Sequence, residues 1–143
     1  MNFIEFNSKD IDMPLSEVGP IKRWIHFIAS TFDKRVGNIS YLFTSDREIL
    51  DINKKFLNHD YYTDIITFDY SKRGIISGDI YISLDTVRTN AQLLNADYDN
   101  ELMRVIIHGI LHLCGINDKG PGEREIMEMH ENQALAALPT FLK

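Results

Sequence analysis

The chain is organised around the stretch His108-Gly-Ile-Leu-His112-Leu-Cys-Gly115-Ile-Asn-Asp118. Two histidines four residues apart on a helix lie on one face, so both imidazoles can reach a single metal ion about 2 Å from each ring nitrogen. Gly115 stands where the apolar pattern of the helix stops, and a glycine there can take the left-handed conformation that turns the chain back. The sequence therefore predicts that Asp118 returns towards His108 and His112 as a third ligand.

Each of these residues also has a purely structural interpretation. A histidine in an apolar helix is often a hydrogen-bonded structural residue, and an aspartate after a helix end is a common turn residue. Cys114 lies two residues past His112, on the other side of the helix, and is interpreted as a small buried hydrophobe. A histidine pair followed by a glycine break and a carboxylate nevertheless favours the three-ligand pattern of catalytic zinc sites.

Two imidazoles and a carboxylate favour zinc, one ion per chain, with nickel, iron or manganese as alternatives. Three protein ligands leave one coordination position open, where a divalent ion can polarise a phosphoryl oxygen and activate water at neutral pH. Zinc proteases of the H-E-x-x-H kind place a glutamate after the first histidine, but this chain has Gly109 there. The pattern therefore argues against ordinary proteolysis.

Length and composition predict one globular domain over residues 1–143, because 44% of the residues are apolar and 25% are charged. The single cysteine fits a reducing compartment, and neither a signal peptide nor a membrane span is recognisable, so we expect a cytoplasmic protein. The net charge of −6 argues against a generic nucleic-acid binder. Six cations can either gather on one face or lie scattered: Lys54, Lys55, Lys72, Arg73, Arg88 and Arg104.

The periodicity of apolar residues predicts a mixture of strands and helices. Strands are predicted at 3–6, 36–44, 63–70 and 78–83, the last two as an antiparallel hairpin around the polar turn at 71–74. Helices are predicted at 16–32, about 46–56, about 84–94, about 100–114 and 122–138. The combination predicts an α+β fold in which helices pack over a small mixed sheet.

The last predicted helix carries apolar residues that are expected to face inward, namely Ile126, Met127, Leu135 and Leu138. His130 lies on the same helix beside Glu128 and Glu131. It is interpreted as an exposed, paired histidine, with a spare metal ligand as the alternative.

The stretch that ends at Asp118 resembles the H-G-x-L-H-L-x-G-Y-D-H signature of the YbeY family, the metal-dependent endoribonucleases of bacterial ribosomal RNA maturation. Further family segments occur in the same order: Leu57-Asn58, Thr63-Asp64-Ile-Ile-Thr-Phe68, Gly78-Asp79-Ile-Tyr-Ile-Ser83, and Glu123, Met127 and Glu131 at four-residue spacing. The resemblance covers nearly the whole chain and implies a four-stranded sheet with the metal-bearing helix central.

The resemblance also implies a function. A protein of this family is expected to be a single-strand-specific endoribonuclease that matures the 3′ end of 16S rRNA and serves ribosome quality control. Its implied partners are single-stranded rRNA and the ribosome or its small subunit, with neither a membrane nor DNA expected.

Two features depart from the family pattern. Asp118 stands where the signature ends in a third histidine, and Ile116-Asn117 replaces Tyr-Asp. The family usually carries an arginine between the Leu-Asn and Thr-Asp blocks that is taken to be important for cleavage, and no arginine matches it here. The alternative function is therefore a metal-binding accessory protein of the ribosome with little nuclease activity.

Two residues are candidates for proton transfer, His59 and Asp64. In the family the Thr63-Asp64 block lies beside the metal cleft. The alternative for Asp64 is that it caps a strand end or a turn. We expect His59 and Asp64 as catalytic residues and His108, His112 and Asp118 as metal ligands.

Overall fold

The structure is a computed structural model that describes residues 3–56 and 63–142. Within these ranges four strands form one mixed sheet and five helices pack on it, which confirms the predicted α+β class. The strands are β1 (Phe3–Ser8), β2 (Arg35–Thr44), β3 (Ile65–Asp69) and β4 (Ile75–Ser83). The helices are α1 (Gly19–Ser30), α2 (Asp46–Phe56), α3 (Leu84–Leu93), α4 (Tyr98–Leu113) and α5 (Glu123–Leu142).

The sheet has the strand order β1-β2-β4-β3. β1 pairs with β2 and β2 with β4 in parallel, whereas β3 and β4 form the predicted antiparallel hairpin. Its turn contains Arg73 and Gly74, both at positive φ, and Lys72 bridges Ile75. Positive φ at both central residues matches the twist of a hairpin, so the polar turn sets the register of these two strands.

The main core lies between the sheet and the helices. Ile39, Tyr41 and Phe43 alternate along β2 on one face and are fully buried, as the period of two predicts. α2 does not join this core. Ile49 and Ile52 of α2 pack on Ile66 as a separate cluster, because alternate residues of β3 point to the other face of the sheet.

α4 is central, as predicted, because it contacts both β3 and β4 as well as α1, α3 and α5. Gly109 brings it close to the sheet: a Cβ added there would lie 2.9 Å from Ile80 Cδ1 and 3.2 Å from Ile65 Cδ1. On the same side Tyr41 Oη donates a 2.8 Å hydrogen bond to the carbonyl of Ile106. These contacts set the distance of α4 from the sheet and its rotation about its own axis. Close packing therefore explains why a glycine stands at position 109, independently of any chemistry at the site.

Side chains cap the first turns of α3 and α2. The Ser83 hydroxyl accepts from the backbone N–H of Thr86 at 3.3 Å, and Asp85 accepts from the N–H of Asp46 at 3.0 Å. Side-chain caps of this kind satisfy donors that a helix start leaves free. The bond between Asp85 and Asp46 also holds the first turns of α2 and α3 together.

Two predicted helices have different limits. α1 begins at Gly19 rather than at position 16, because Pro20 in its first turn has no N–H and its fixed φ suits a helix start. α5 continues to Leu142, four residues beyond the predicted end, with Pro139 inside it. The sequence placed Ile126 inward, yet its side chain is 48% exposed. The buried positions of α5 are Met127, Glu131, Ala134 and Leu138, and Ile126 lies one residue off that stripe.

α1 and α5 are joined by a buried hydrogen bond from Trp24 Nε1 to the carbonyl of Ala134, 2.8 Å long. A buried indole N–H needs such an acceptor. Among the helices of the described ranges, none combines the length and the apolar character that crossing a bilayer requires.

Candidate metal centre

Three predicted ligands converge at the end of α4. His108 and His112 lie one turn apart, and Asp118 Oδ2 is 3.3 Å from His108 Nε2 and 3.4 Å from His112 Nε2. One donor atom from each residue lies within 4.8 Å of the other two. Two imidazole nitrogens and one carboxylate oxygen are a donor set that fits a three-ligand zinc site. These residues can therefore hold a metal ion.

Gly115 brings Asp118 back to the histidines. It has a φ of 99°, and its N–H donates to the carbonyl of His112 at 2.9 Å. The N–H of Ile116 donates to the carbonyl of Leu111 at 3.0 Å. This pair of bonds is the Schellman ending of a helix, in which a glycine supplies the left-handed residue. The turn that the sequence predicted at Gly115 is confirmed.

Glu131 of α5 orients the first histidine. Its Oε2 lies 2.6 Å from His108 Nδ1. A carboxylate is an acceptor, so Nδ1 carries the proton and Nε2 is left with a lone pair that faces Asp118. The second ring nitrogen of a metal-binding histidine commonly has such a partner.

Arg104 extends this contact along α4. Its guanidinium donates to Glu131 Oε1 at 2.8 Å and to Asn132 Oδ1 at 2.8 Å, and it lies 3.9 Å from Glu101. Glu131 thus receives one hydrogen bond on each oxygen. The result is a continuous chain from Arg104 through Glu131 to His108, which we call the α4–α5 polar chain.

The electrostatics differ between the two histidines. Burial lowers the pKa of His108, but hydrogen bonding to Glu131 and the charges of Glu131, Asp118 and Asp64 outweigh it and raise that pKa above 6.5. Burial and the charge of His108 lower the pKa of His112. Burial raises the pKa of Glu131, but hydrogen bonds from His108 and Arg104 outweigh it and lower that pKa below 4.5. In the metal-free protein, protonation therefore favours His108 over His112.

Asp64 lines the same cleft as His108 and Asp118. Its carbonyl accepts from the N–H of Ser83 at 2.9 Å, which ties the start of β3 to the end of β4. Burial raises the pKa of its half-buried carboxyl, and the charge of His108 partly counteracts this. The other candidate for proton transfer, His59, lies outside the described residues, as does the loop in which an arginine was expected.

Glu131 and Arg104 are site residues that the sequence alone did not single out as such. The signal available for Glu131 was its four-residue spacing from Met127 within the family pattern. His130 differs from its interpretation as well. It is half-buried with its ring edge on Phe32, 5.2 Å between centroids, and the buried Glu131 points to His108 instead.

Two further expectations can be compared with the structure. Cys114 packs against the core but is only partly buried, and burial raises the pKa of its thiol to about 11. Of the six cations that could have gathered on one face, all within the described ranges, Arg104 is the one that lines the cleft. Arg88 instead lies over the ring of Tyr98, 5.1 Å from its centroid.

Comparisons with known proteins agree on one family. A family model described as Endoribonuclease YbeY matches residues 3–139. The chain is 60% identical to the protein named Endoribonuclease YbeY of Parabacteroides distasonis over 136 residues, which cover 95% of this chain and 96% of that protein. It is 57% identical to the protein of the same name from Bacteroides thetaiotaomicron, with 93% and 97% covered.

A solved structure is similar as well. The solution structure of TM1509 from Thermotoga maritima superposes with a TM-score of 0.68 at 26% identity. The superposition covers 95% of this chain and 89% of that one. The similarity therefore extends over nearly the whole chain.

Proposed function

This chain belongs to the YbeY family, whose model spans residues 3–139, and we propose that it is a metal-dependent endoribonuclease acting on single-stranded ribosomal RNA. The observation that carries the proposal is the convergence of His108, His112 and Asp118 within 4.8 Å. A divalent ion held there supplies Lewis-acid chemistry for phosphodiester hydrolysis. We further propose zinc as that ion, one per chain, because two imidazoles and a carboxylate suit it.

The protein's own groups complete the proposed chemistry. Glu131 holds a proton on Nδ1 of His108 and so keeps Nε2 available as a donor atom towards the ion. Asp64 lies beside this point, and burial raises the pKa of its carboxyl, the direction that suits a group which takes up and releases a proton. His59 is the second candidate for that role.

The proposed substrate and setting follow the family. We propose action at the 3′ end of 16S rRNA, on the ribosome or its small subunit, with a part in ribosome quality control. The expected compartment is the cytoplasm, and the expected unit is one domain over residues 1–143. Neither DNA nor a membrane is a proposed partner.

The test is cleavage of a single-stranded oligonucleotide that spans the 16S rRNA 3′ end, compared with the same sequence annealed to its complement. We expect cleavage of the single strand, its loss with chelator, and its return on adding zinc. His108→Ala should reduce cleavage to background, whereas His26→Ala, at an exposed position of α1, should cut like wild type. Cleavage that survives in His108→Ala would point to a contaminating nuclease.

Asp118 has a separate test, because it stands where the family has a histidine. A carboxylate oxygen and an imidazole nitrogen bind zinc at nearly the same distance. Asp118→Asn should therefore weaken zinc binding in a competition titration at neutral pH, and Asp118→His should retain it. Equal affinity of wild type and Asp118→Asn would place the third ligand elsewhere.

A second function has one observation in its favour. The cleft is lined by five carboxylates and two arginines, a balance that disfavours RNA phosphates away from the metal. An accessory protein that binds a metal and contacts the ribosome with little nuclease activity would fit this balance. It would bind the small subunit but leave the single-stranded oligonucleotide uncut, even with zinc present.

A further inference from the structure

A cleft extends from the metal centre between α3, α4 and α5. Its volume is about 710 Å³, and His108 and Asp118 form part of its wall. Small-molecule sites in proteins occupy roughly 300–1,000 Å³. The cleft is therefore large enough for a nucleoside unit with accompanying water, directly beside the proposed position of the scissile phosphate.

One wall of the cleft is apolar and exposed. Leu93 and Leu94, where α3 ends, have 79% and 67% of their surface accessible, and Ala96 follows them in the same wall. Together these side chains form an exposed apolar patch, and such a patch rimmed by polar groups is typical of a binding groove. Flat apolar contact is what the face of an unstacked base offers.

Amide groups line the same cleft. Asn90 and Asn100 line the cleft, and their side-chain amides make no hydrogen bond within the described part of the chain. Asn132 uses its Oδ1 to accept from Arg104, which leaves its NH₂ group as a donor. Amides supply both donors and acceptors, the groups that hydrogen-bond the edges of bases.

The charges argue against a phosphate in this part of the cleft. Its two arginines are already ion-paired, Arg104 with Glu131 at 2.8 Å and Arg124 with Glu128 at 3.5 Å. Five carboxylates line the same cleft. A phosphodiester would therefore meet an excess of negative charge, whereas a neutral base would not.

We propose that this cleft is a nucleobase subsite, which takes one unstacked base of the RNA from a nucleotide adjacent to the scissile bond. The inference rests on the proposed ribonuclease function and adds the part of the substrate that is recognised. A base within a duplex is paired and stacked and cannot enter such a cleft without being extruded. The subsite therefore gives a physical reason for selecting single strands.

The experiment uses a single-stranded RNA with one mapped cleavage position and a set of derivatives in which one flanking nucleotide at a time is abasic. We expect one flanking position at which removing the base lowers kcat/KM about tenfold, the equivalent of 1.36 kcal/mol. Affinity for the same RNAs, measured by fluorescence anisotropy with chelator present to prevent cleavage, should fall at that position as well.

Variants connect the effect to the cleft. The double variant Leu93→Ala and Leu94→Ala, and separately Asn90→Ala, should lose most of the difference between intact and abasic RNA. Leu142→Ala and Asn38→Ala remove an exposed leucine and an exposed asparagine outside the cleft, and they should keep the difference. Zinc content should be unchanged in all four variants because these side chains are not proposed ligands, and the urea midpoint should change little because none of them is buried.

The outcomes separate the two proposals. Absence of cleavage by zinc-loaded wild type would overturn the ribonuclease function, and the anisotropy measurements would then decide on the subsite alone. Cleavage and binding that are indifferent to every abasic substitution would overturn the subsite and leave the ribonuclease function standing. If removal of the base lowers kcat/KM equally in wild type and in both cleft variants, the proposed subsite would also be overturned.

Discussion

The two faces of α4 are held in place by different interactions. Towards the sheet the helix is apolar and packed so closely that Gly109 leaves no room for a methyl group beside Ile80. Towards α5 it carries the α4–α5 polar chain, in which Arg104, Glu131 and His108 are joined by contacts of 2.8 and 2.6 Å. The apolar face determines where the helix lies, and the polar face determines which nitrogen of His108 is available for a metal.

The difference has a consequence for tolerance to mutation. Close packing is sensitive to volume, because a well-packed interior has few spaces to absorb an added group. A buried charge network is instead sensitive to the loss of one member, since the remaining partner is left uncompensated. Substitutions on the apolar face of α4 should therefore change stability with little effect on metal affinity. Substitutions on the face towards α5 should change metal affinity first.

The largest effect is expected from Glu131→Gln, which keeps the shape of the side chain but removes its charge. The variant leaves Nδ1 of His108 without an anionic acceptor, and loss of such a partner costs about 10–100-fold in metal affinity. Competition with a chromophoric chelator would measure it. Glu125→Gln, an exposed position on the same helix, should bind zinc like wild type. Equal affinities would mean that the polar chain does not hold His108.

The same variant has a pH signature in the metal-free protein. The pKa of Glu131 is lowered by folding, so its contribution to stability is present above about pH 4.5 and is lost as the pH falls through the folded value. The pKa of His108 is raised, so its contribution is present below about pH 6.5 and is lost as the pH rises through the folded value. The free energy of unfolding in urea should therefore differ most between wild type and Glu131→Gln from about pH 4.5 to about pH 6.5, where both contributions are present. A constant difference from pH 4 to 9 would contradict the pairing.

Next in size is the apolar face, tested by a series at Gly109. Glycine to alanine inside a helix normally stabilises by about 1 kcal/mol. In Gly109→Ala that gain should be lost, because the added methyl group meets Ile80 and Ile65. Gly109→Val should lower the free energy of unfolding by about 1–3 kcal/mol, because it overpacks the same contact. Urea titration measures the series. Stabilisation by alanine to the full usual extent would show that the helix can move away from the sheet.

The smallest effect is expected from Tyr41→Phe, which removes one hydrogen bond between β2 and α4. A net loss of about 1 kcal/mol is typical for such a bond. Tyr70→Phe is the matched control, since Tyr70 is exposed and bonds Asp79 at 3.3 Å. Zinc affinity should be unchanged in both variants. A large drop in affinity for Tyr41→Phe would mean that the two faces of α4 are not separable.

Sequence periodicity predicted the extent of α4 well because the information is local. The extent of α4, the hairpin turn at Arg73-Gly74 and the helix end at Gly115 each depend on residues close together in the chain. The convergence of Asp118 on His108 also follows from a short turn. Local chemistry therefore accounts for the three predicted ligands coming together.

The polar chain could not be predicted in the same way. Whether Glu131 or a neighbour faces His108 depends on how α5 is rotated about its axis, and one residue corresponds to about 100° of rotation. The error at Ile126 has the same origin. The position of α2 on the opposite face of the sheet likewise depends on which residues of β3 it meets, a long-range choice that periodicity within α2 does not determine.

The bond between Trp24 and Ala134 joins residues 110 positions apart and bears on the order in which parts of the structure form. Protein synthesis releases the N-terminal end first, so α1 emerges long before α5. Until α5 arrives, the indole lacks its acceptor and His108 lacks the carboxylate of Glu131. Closure of the core and completion of the candidate metal centre therefore both wait until α5 has left the ribosome, and a nascent chain whose α5 is still in the exit tunnel lacks the finished site.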